Sequence, residues 1–536
     1  MSEVKTTVLV VGGGLSGLST AAFLAWHNVP CLVVERHADL LIHPRLRGVT
    51  ARTMEIYRQL GIEDGIRAAS GIAGDSGYQS LRAQNLASTE FMPMGTVSED
   101  QFAAVSPSPW GSIDQDKLEV LLRDRARALG ADIRFGVRMT KFTTGADGVT
   151  AVIKDLQSGA ETAVRADFLV GADGNSSSIR AQLGIETYGP GLFGEGTALL
   201  FEADLSPALG DRKVGVAYLG EPVPGTVLVY TGGDRWTLGL PLIIGDTQEE
   251  LDRKSIEAIR AATGLPDLEV RLLEQVPGTG IKQLSVWTGA QVAGSFSKDR
   301  VFLVGDAAHI VPPVLGMGGS IGVQDTHNLA WKIAAVHRGY AGEELLESYD
   351  AERRPVAAYS MQQILAVGAA RGAMGGKPQP PPADFDLSAL VFGYQYRSAA
   401  VAGTDGDPVP AVPAAQLAAQ PGTRAPHAPV RHQGAKMSTL DLYGKSFVLL
   451  AGPELNVSEA REVADARSLP LDVYRIGTDV TPVDQGTDLA AIHGISSTGA
   501  VLVRPDGFVA WRATETGGPE GEFHQALREV LPARPV

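Results

Sequence analysis

At 536 residues the chain is too long for one hydrophobic core and implies two or three domains, and 44% hydrophobic with 20% charged residues describes an ordinary soluble globular protein. A net charge of -15, a sequence pI near 5.2 and the lack of any basic cluster oppose nucleic acid and anionic membrane surfaces as partners. The single cysteine, Cys31, cannot form an internal disulfide and lies in an apolar strand, which points to the cytoplasm.

The first elements in the chain are an apolar strand at Val8-Leu-Val-Val11, a glycine turn, a helix, and a second strand, Cys31-Leu-Val-Val-Glu35-Arg36. Gly12, Gly14 and Gly17 form G-x-G-x-x-G, with Leu15 and Ser16 between them at the helix start. Glycine lets the backbone turn tightly and approach a pyrophosphate, the helix N-terminus offers N–H groups to phosphates, and Glu35 stands where an acid accepts hydrogen bonds from a ribose. A dinucleotide is expected here. The uncharged run from Val8 to Trp26 is not read as a membrane span, because it holds the three clustered glycines, Ser16, Ser19 and Thr20 and lacks a cleavage site.

Further on, Ala166-Asp-Phe-Leu-Val-Gly171-Ala-Asp173-Gly174 reads as a buried strand closing on an Asp-Gly turn, with a Ser-rich helix start reaching Arg180. A second G-x-G-x-x-G, Gly189-Pro-Gly191-Leu-Phe-Gly194, is rejected as a nucleotide site: no apolar strand enters it and a strand, not a helix, follows. Alternating strands then occupy the stretch to about Gly280, including Thr226-Val-Leu-Val-Tyr230 and Arg235-Trp-Thr-Leu-Gly-Leu240. Tyr218, Tyr230, Trp236 and Trp287 are substrate candidates on this sheet, each weighed against plain core packing.

Arg300-Val-Phe-Leu-Val-Gly305-Asp306-Ala-Ala-His309 is a charged turn and buried strand ending at Gly-Asp, and Gly316-Met-Gly318-Gly319-Ser320-Ile321 leads into a helix expected from about Ser320 to Arg338. Asp306 suits ribityl or ribose hydroxyls, and the helix points its positive end above the glycines, which suits an anionic isoalloxazine. Proline-rich runs at Pro378–Pro382 and Pro408–Pro413 mark a linker. A small α/β unit closes the chain, with strands at Phe447–Ala451, Leu471–Arg475 and Ala500–Trp511 and no C-x-x-C for redox work.

These three motifs, in this order, resemble the group A flavoprotein aromatic hydroxylases of the p-hydroxybenzoate hydroxylase fold, and most of all the three-domain phenol-hydroxylase-type members and bacterial aromatic polyketide hydroxylases such as aklavinone hydroxylase. Asp116-Lys-Leu-Glu, Asn328-Leu-Ala-Trp-Lys332, Ser348-Tyr-Asp-Ala-Glu-Arg-Arg-Pro355, Tyr396-Arg-Ser398 and Pro421-Gly-Thr-Arg-Ala-Pro-His427 extend the likeness over nearly the whole chain. The resemblance implies an α/β fold: a discontinuous Rossmann-like FAD domain (1–185 with 281–372), an inserted substrate-binding β-sheet domain (186–280), a linker (373–439) and a thioredoxin-like domain (440–536). It implies bound FAD, NADPH or NADH as a transient donor, O₂, and hydroxylation of a phenolic natural product through a flavin C4a-hydroperoxide. Baeyer–Villiger oxygenation of a ketone, and a flavin oxidase or reductase, stay open beside it, as does a homo-oligomer; no metal ligands are singled out.

The resemblance also assigns residues. Arg45, in His43-Pro-Arg-Leu-Arg47, matches an arginine at the pyrophosphate and the donor's path; Gln115 matches a flavin-contacting glutamine; Asp173 and Arg180 belong to the Asp-Gly motif; and Asp306 is the surest single residue. Ser320 stands where the family commonly has Asn, so the backbone donors of Gly318, Gly319, Ser320 and Ile321 are expected to serve the flavin without that side chain. No acid or base for substrate activation is fixed: Arg45, His309 and Arg371 are weak candidates.

Overall fold

Val8–Val11 and Cys31–Val34 carry side chains apolar on both faces, the signature of parallel strands covered on both sides, and they pair in parallel register with Val8 opposite Cys31 and Val11 opposite Val34. The computed structural model describes residues 2–40, 46–69, 78–94, 99–275, 278–370, 382–383, 385–403, 410–515 and 522–531. In it, Ser2–Val11 also pairs in parallel with Glu161–Gly171, which pairs in turn with Val301–Leu303. The eight-stranded sheet runs Ser297–Lys298, Val301–Leu303, Glu161–Gly171, Ser2–Val11, Cys31–Glu35, Asp132–Phe135, with a hairpin of Val137–Gly145 and Gly148–Asp155 on its Glu161–Gly171 strand.

The register brings three turns together. Val11 lies opposite Gly171 and Gly171 opposite Leu303, so the carboxyl ends of three adjacent parallel strands meet, and the turns that follow them line one crevice. The helices Leu15–Trp26 and Gly318–His337 pack beside each other against these strands in one core with Leu9, Val33, Phe168 and Phe302.

A nine-stranded sheet forms the second layer, in the order His309–Ile310, Gln283–Ala293, Thr187–Glu202, Arg235–Pro241, Thr226–Gly232, Val214–Leu219, Gln79–Ala83, Phe91–Pro93, with Arg271–Leu272 added on Thr187–Glu202. The rejected glycine motif at 189–194 lies inside the strand Thr187–Glu202. Gln79–Ala83 and Phe91–Pro93 join this sheet although they fall within 1–185, as Gln283–Ala293 does from 281–372, so the chain crosses between the two sheets more often than the boundaries 186–280 allow. The reason is pairing at a distance: Leu81 aligns with Ala217 in parallel, which no local pattern announces.

Within the segment expected as linker, 373–439, described residues pack against the rest of the chain. Leu390, Val391 and Phe392, on the helix Leu387–Phe392, are buried with Met317 and Ile321, and Pro429–His432 and Ala435–Ser438 form a hairpin that pairs with Val480–Pro482. The thioredoxin-like unit is a four-stranded sheet ordered Leu471–Arg475, Phe447–Ala451, Ala500–Val503, Val509–Ala513, flanked by the helices Ser458–Ala466 and Glu522–Val530. Among the described residues no helix is long and apolar enough to cross a membrane.

Candidate functional site

The crevice starts at the glycine turn, where each glycine answers a different constraint. Gly12 adopts φ +111° and lies so close to the neighbouring strand end that a Cβ would sit 2.2 Å from the Ala172 oxygen. A Cβ on Gly17 would lie 1.9 Å from the Gly12 oxygen, which fixes the close helix–strand packing. Gly14 alone faces open space, the nearest atom to its Cβ position being Glu119 Oε1 at 3.8 Å. The helix it starts, Leu15–Trp26, has no side-chain cap, leaving the first N–H groups for an anion. A pyrophosphate fits this cradle.

Glu35 closes the turn. Its Oε2 accepts from Gly13 N at 2.7 Å and its Oε1 from His37 N at 2.8 Å and His37 Nδ1 at 2.6 Å. Burial alone would raise its pKa, but the bonds from His37 and Gly13 hold the carboxyl below the ordinary range, so it stays an acceptor. Arg36, next to it, is exposed. Ser16 turns elsewhere: its Oγ packs against Gly305 and Gly322, where a Cβ would come within 2.2 and 2.7 Å of it, so it spaces the elements beside the crevice. Leu15 is buried.

At the other two strand ends, Asp306 is exposed between buried Gly305 and Ala307. Arg180 donates to Ala307 O at 2.7 Å and Asn175 O at 2.9 Å, stapling the two turns together. Asp173 Oδ2 accepts from Ile179 N at 3.2 Å, whereas its Oδ1 is buried without a partner. The helix Gly318–His337 begins without a side-chain cap on its first donors. Ser320 Oγ accepts from Thr50 N at 3.0 Å and so holds the next helix rather than a ligand, and Ile321 is buried. An uncapped helix, an unpartnered buried carboxylate oxygen and a glycine facing open space together fit a flavin dinucleotide.

Gln115 opens the helix Gln115–Ala128, its N donating to Leu46 O at 3.1 Å and its Nε2 to Glu119 Oε1 at 2.7 Å. One residue earlier is Asp114, which pairs with Arg47, and Arg47 in turn donates to the main-chain oxygen of Tyr230 on the nine-stranded sheet. Arg47 was not among the residues singled out from sequence; its only signal was its place beside Arg45 in a basic turn. Arg45 and Arg371 lie outside the described residues.

The aromatic candidates separate by face. Ala217, Leu228, Trp236 and Leu238 share a core with Ile259 of the helix Gln248–Thr263, and Tyr230, aligned with Trp236, packs on that same side with its ring 5.4 Å from Tyr78. Trp236 is therefore core, and Tyr230 reaches the crevice through its main chain. Trp287 is half exposed on the strand Gln283–Ala293. Tyr218 remains: with Val216, Val227, Val229 and Thr237 it occupies the face opposite the helix. Thr237, also missed from sequence, is buried there with a hydroxyl that has no partner, and Thr231 nearby is the same. His309 is buried with its Nε2 on Asp325 at 2.7 Å.

Two family models match the chain, one described as the FAD binding domain over residues 5–364 and one as aromatic-ring hydroxylase, C-terminal, over residues 418–533. The chain is 38% identical to a 4-methyl-5-nitrocatechol 5-monooxygenase of Burkholderia sp, covering 99% of this chain and 98% of that one. It is 36% identical to an aklavinone 12-hydroxylase of Streptomyces purpurascens, over 99% of this chain and 100% of that one. Among solved structures, an aklavinone-11 hydroxylase in a ternary complex with FAD and aklavinone matches with a TM-score of 0.89 at 35% identity, covering 99% of this chain and 100% of that one.

Proposed function

The chain belongs to the FAD-dependent aromatic-ring hydroxylases, monooxygenases of polyketide and antibiotic biosynthesis, and on that footing we propose that it hydroxylates a phenolic or other electron-rich hydroxyaromatic ring system larger than a single benzoate. Bound FAD would pass two electrons from NADPH or NADH to O₂, of which one oxygen atom would go to the ring and the other leave as water.

The observation that carries this reading is the face of the nine-stranded sheet opposite the helix Gln248–Thr263. Val216, Tyr218, Val227 and Val229 make it apolar, and the buried, unpartnered hydroxyl of Thr237 gives it a polar point, the composition that receives a flat ring system bearing phenolic groups. Arg47 ties this sheet, at Tyr230, to the segment beside Gln115, which keeps the two layers at a set spacing across the crevice. In this reading the turn at Gly12–Gly17 would hold the pyrophosphate, Glu35 the adenosine ribose and Asp306 the ribityl hydroxyls, and the N–H groups at Gly318–Ile321 would balance negative charge on the reduced ring. The substrate, once seated, displaces water from the crevice between the layers.

Purified protein is expected to hold FAD noncovalently and, with NADPH or NADH in air, to add one oxygen atom to a member of a panel of hydroxyanthraquinones, aklavinone and substituted catechols, read by product mass and NMR. Nicotinamide oxidation without an oxygenated product from any ring would replace this reading with an oxidase or reductase, and oxygen inserted beside a ketone would redirect it to ring expansion.

A further inference from the structure

Two segments face the flavin in the reading above, the turn at Gly305–Asp306 and the first turn of the helix Gly318–His337, and one buried ion pair holds both. Asp325, two turns along that helix, accepts from Gly305 N at 3.2 Å and His309 Nε2 at 2.7 Å with its Oδ2, and from Arg353 Nε at 2.8 Å with its Oδ1. Arg353 comes from the following helix, Glu347–Ala370. Its Nη2 donates to Ile321 O at 3.2 Å, in the first turn, and its Nη1 to Tyr396 Oη at 3.0 Å. Tyr396 in turn stacks on Phe508 of the C-terminal unit with ring centroids 4.0 Å apart.

Both charged side chains are fully buried. Burial opposes the charge on Asp325, but His309 and Arg353 outweigh it and hold the carboxyl below its ordinary range. A buried pair of this kind is a poor source of net stability, since well-packed apolar side chains do as well, and its main effect is to specify geometry. Geometry is what these segments need. Gly305 sits at φ +59° with no side chain to anchor it, and the bond from its N–H to Asp325 ties to the helix a turn otherwise held by Ala308 N on Gly305 O at 2.8 Å and by Arg180 on Ala307 O.

We infer that Asp325 and Arg353 are positioning residues of the flavin site: without touching the cofactor, they set the Gly305–Asp306 turn and the donors of the helix's first turn relative to each other. The inference rests on the FAD reading. A control lies one residue away: Glu352, equally buried, pairs with Lys332, two turns beyond Asp325 on Gly318–His337, and with Arg504 of the C-terminal unit, which packs over the Tyr396 ring but bonds neither flavin-facing segment.

Arg353→Met, Asp325→Asn and Arg504→Met are compared by the unfolding temperature of the apoprotein, the FAD dissociation constant and the midpoint potential of the bound flavin. Arg353→Met and Asp325→Asn are expected to weaken FAD binding by about tenfold or more, the loss of one charge-assisted hydrogen bond, and to lower the potential as the helix donors lose their aim. Arg504→Met is expected to lower the unfolding temperature comparably and leave the potential where it was. Arg353→Lys, which keeps the charge and loses the planar fork, should restore the unfolding temperature more fully than the potential; it and Asp325→Asn carry the comparison where Arg353→Met does not fold. Equal effects of Arg353→Met and Arg504→Met on all three readouts, or wild-type affinity and potential in Asp325→Asn, would overturn the inference. Wild-type protein that takes up no FAD would overturn the flavin reading beneath it.

Discussion

Arg47 donates to the main-chain oxygen of Tyr230 while pairing with Asp114, so one guanidinium joins the inserted sheet to the start of the helix that carries Gln115. Burial lowers the pKa of Arg47 and raises that of Asp114, the mark of a pair taken partly out of water. Arg47→Met should cost about 1 to 3 kcal/mol in unfolding free energy, because it leaves the Tyr230 carbonyl unpaired and a half-desolvated carboxylate with only Lys117 at 3.6 Å. FAD content should hold, while stopped-flow flavin reduction by NADPH should lose its acceleration by the aromatic substrate, since that effect needs the two layers to move together. An acceleration as large as in wild type would show that the tie does not carry the signal.

Gly14 and Gly17 are expected to part company. Gly17→Ala drives a methyl into the Gly12 oxygen and should destabilise the apoprotein by about 1 to 3 kcal/mol or more. Gly14→Ala meets only Glu119 Oε1 at 3.8 Å and should leave apoprotein stability within about 0.5 kcal/mol, yet weaken FAD binding, because the methyl enters the space of the pyrophosphate. Thermal unfolding of the apoprotein beside fluorescence titration with FAD separates the two effects, and a Gly14→Ala variant with wild-type affinity would remove Gly14 from the cradle.

Thr237→Val should leave the folded apoprotein as stable as wild type or more stable by about 1 kcal/mol, since a buried hydroxyl without a partner is exchanged for a methyl of the same shape. Binding of the hydroxylated ring that the enzyme turns over, followed by the perturbation of the flavin spectrum, should weaken by up to about tenfold, the worth of one hydrogen bond. Loss of stability with unchanged ring affinity would place Thr237 in the sheet's own packing instead.

Acid should destabilise the protein through two buried histidines. Burial, reinforced by Arg338 and Lys445 around His27 and by Arg52 around His327, pushes both down to about 3 from 6.5. Because the unfolded chain binds these protons first, the stabilisation is complete above pH 6.5 and is lost as pH falls toward 3, at about 1.4 kcal/mol per pH unit for each histidine. Denaturant unfolding at pH 7, 6, 5 and 4 should show this slope, and His327→Gln should reduce it by one histidine's share. An unaltered slope in that variant would mean that other groups drive the acid response.

The sequence by itself determined the dinucleotide fold and much of its crevice. Val8–Arg36 and Arg300–Ile321 are legible because strand, turn, glycine and helix start follow one another within a few tens of residues, and the chemistry of each position is imposed by its immediate neighbours. The second glycine motif was rejected on the strand legible after it, while its own place inside the strand Thr187–Glu202 came only from pairing with Gln283–Ala293. Tertiary structure alone decided the rest. Which of Tyr218, Tyr230, Trp236 and Trp287 faces the crevice depends on which side of the sheet the helix Gln248–Thr263 covers, and alternation along a strand names two faces without saying which is inner. Arg47 with Tyr230, Asp325 with Arg353 and Gln79–Ala83 with Val214–Leu219 are contacts between segments far apart in the chain, and the apolar residues of Leu387–Phe392 were hidden among prolines until a partner surface was present. Local physics sets what a segment can become; where a long-range contact closes is set by the one packing in which all segments bury their apolar faces and pair their buried charges at once.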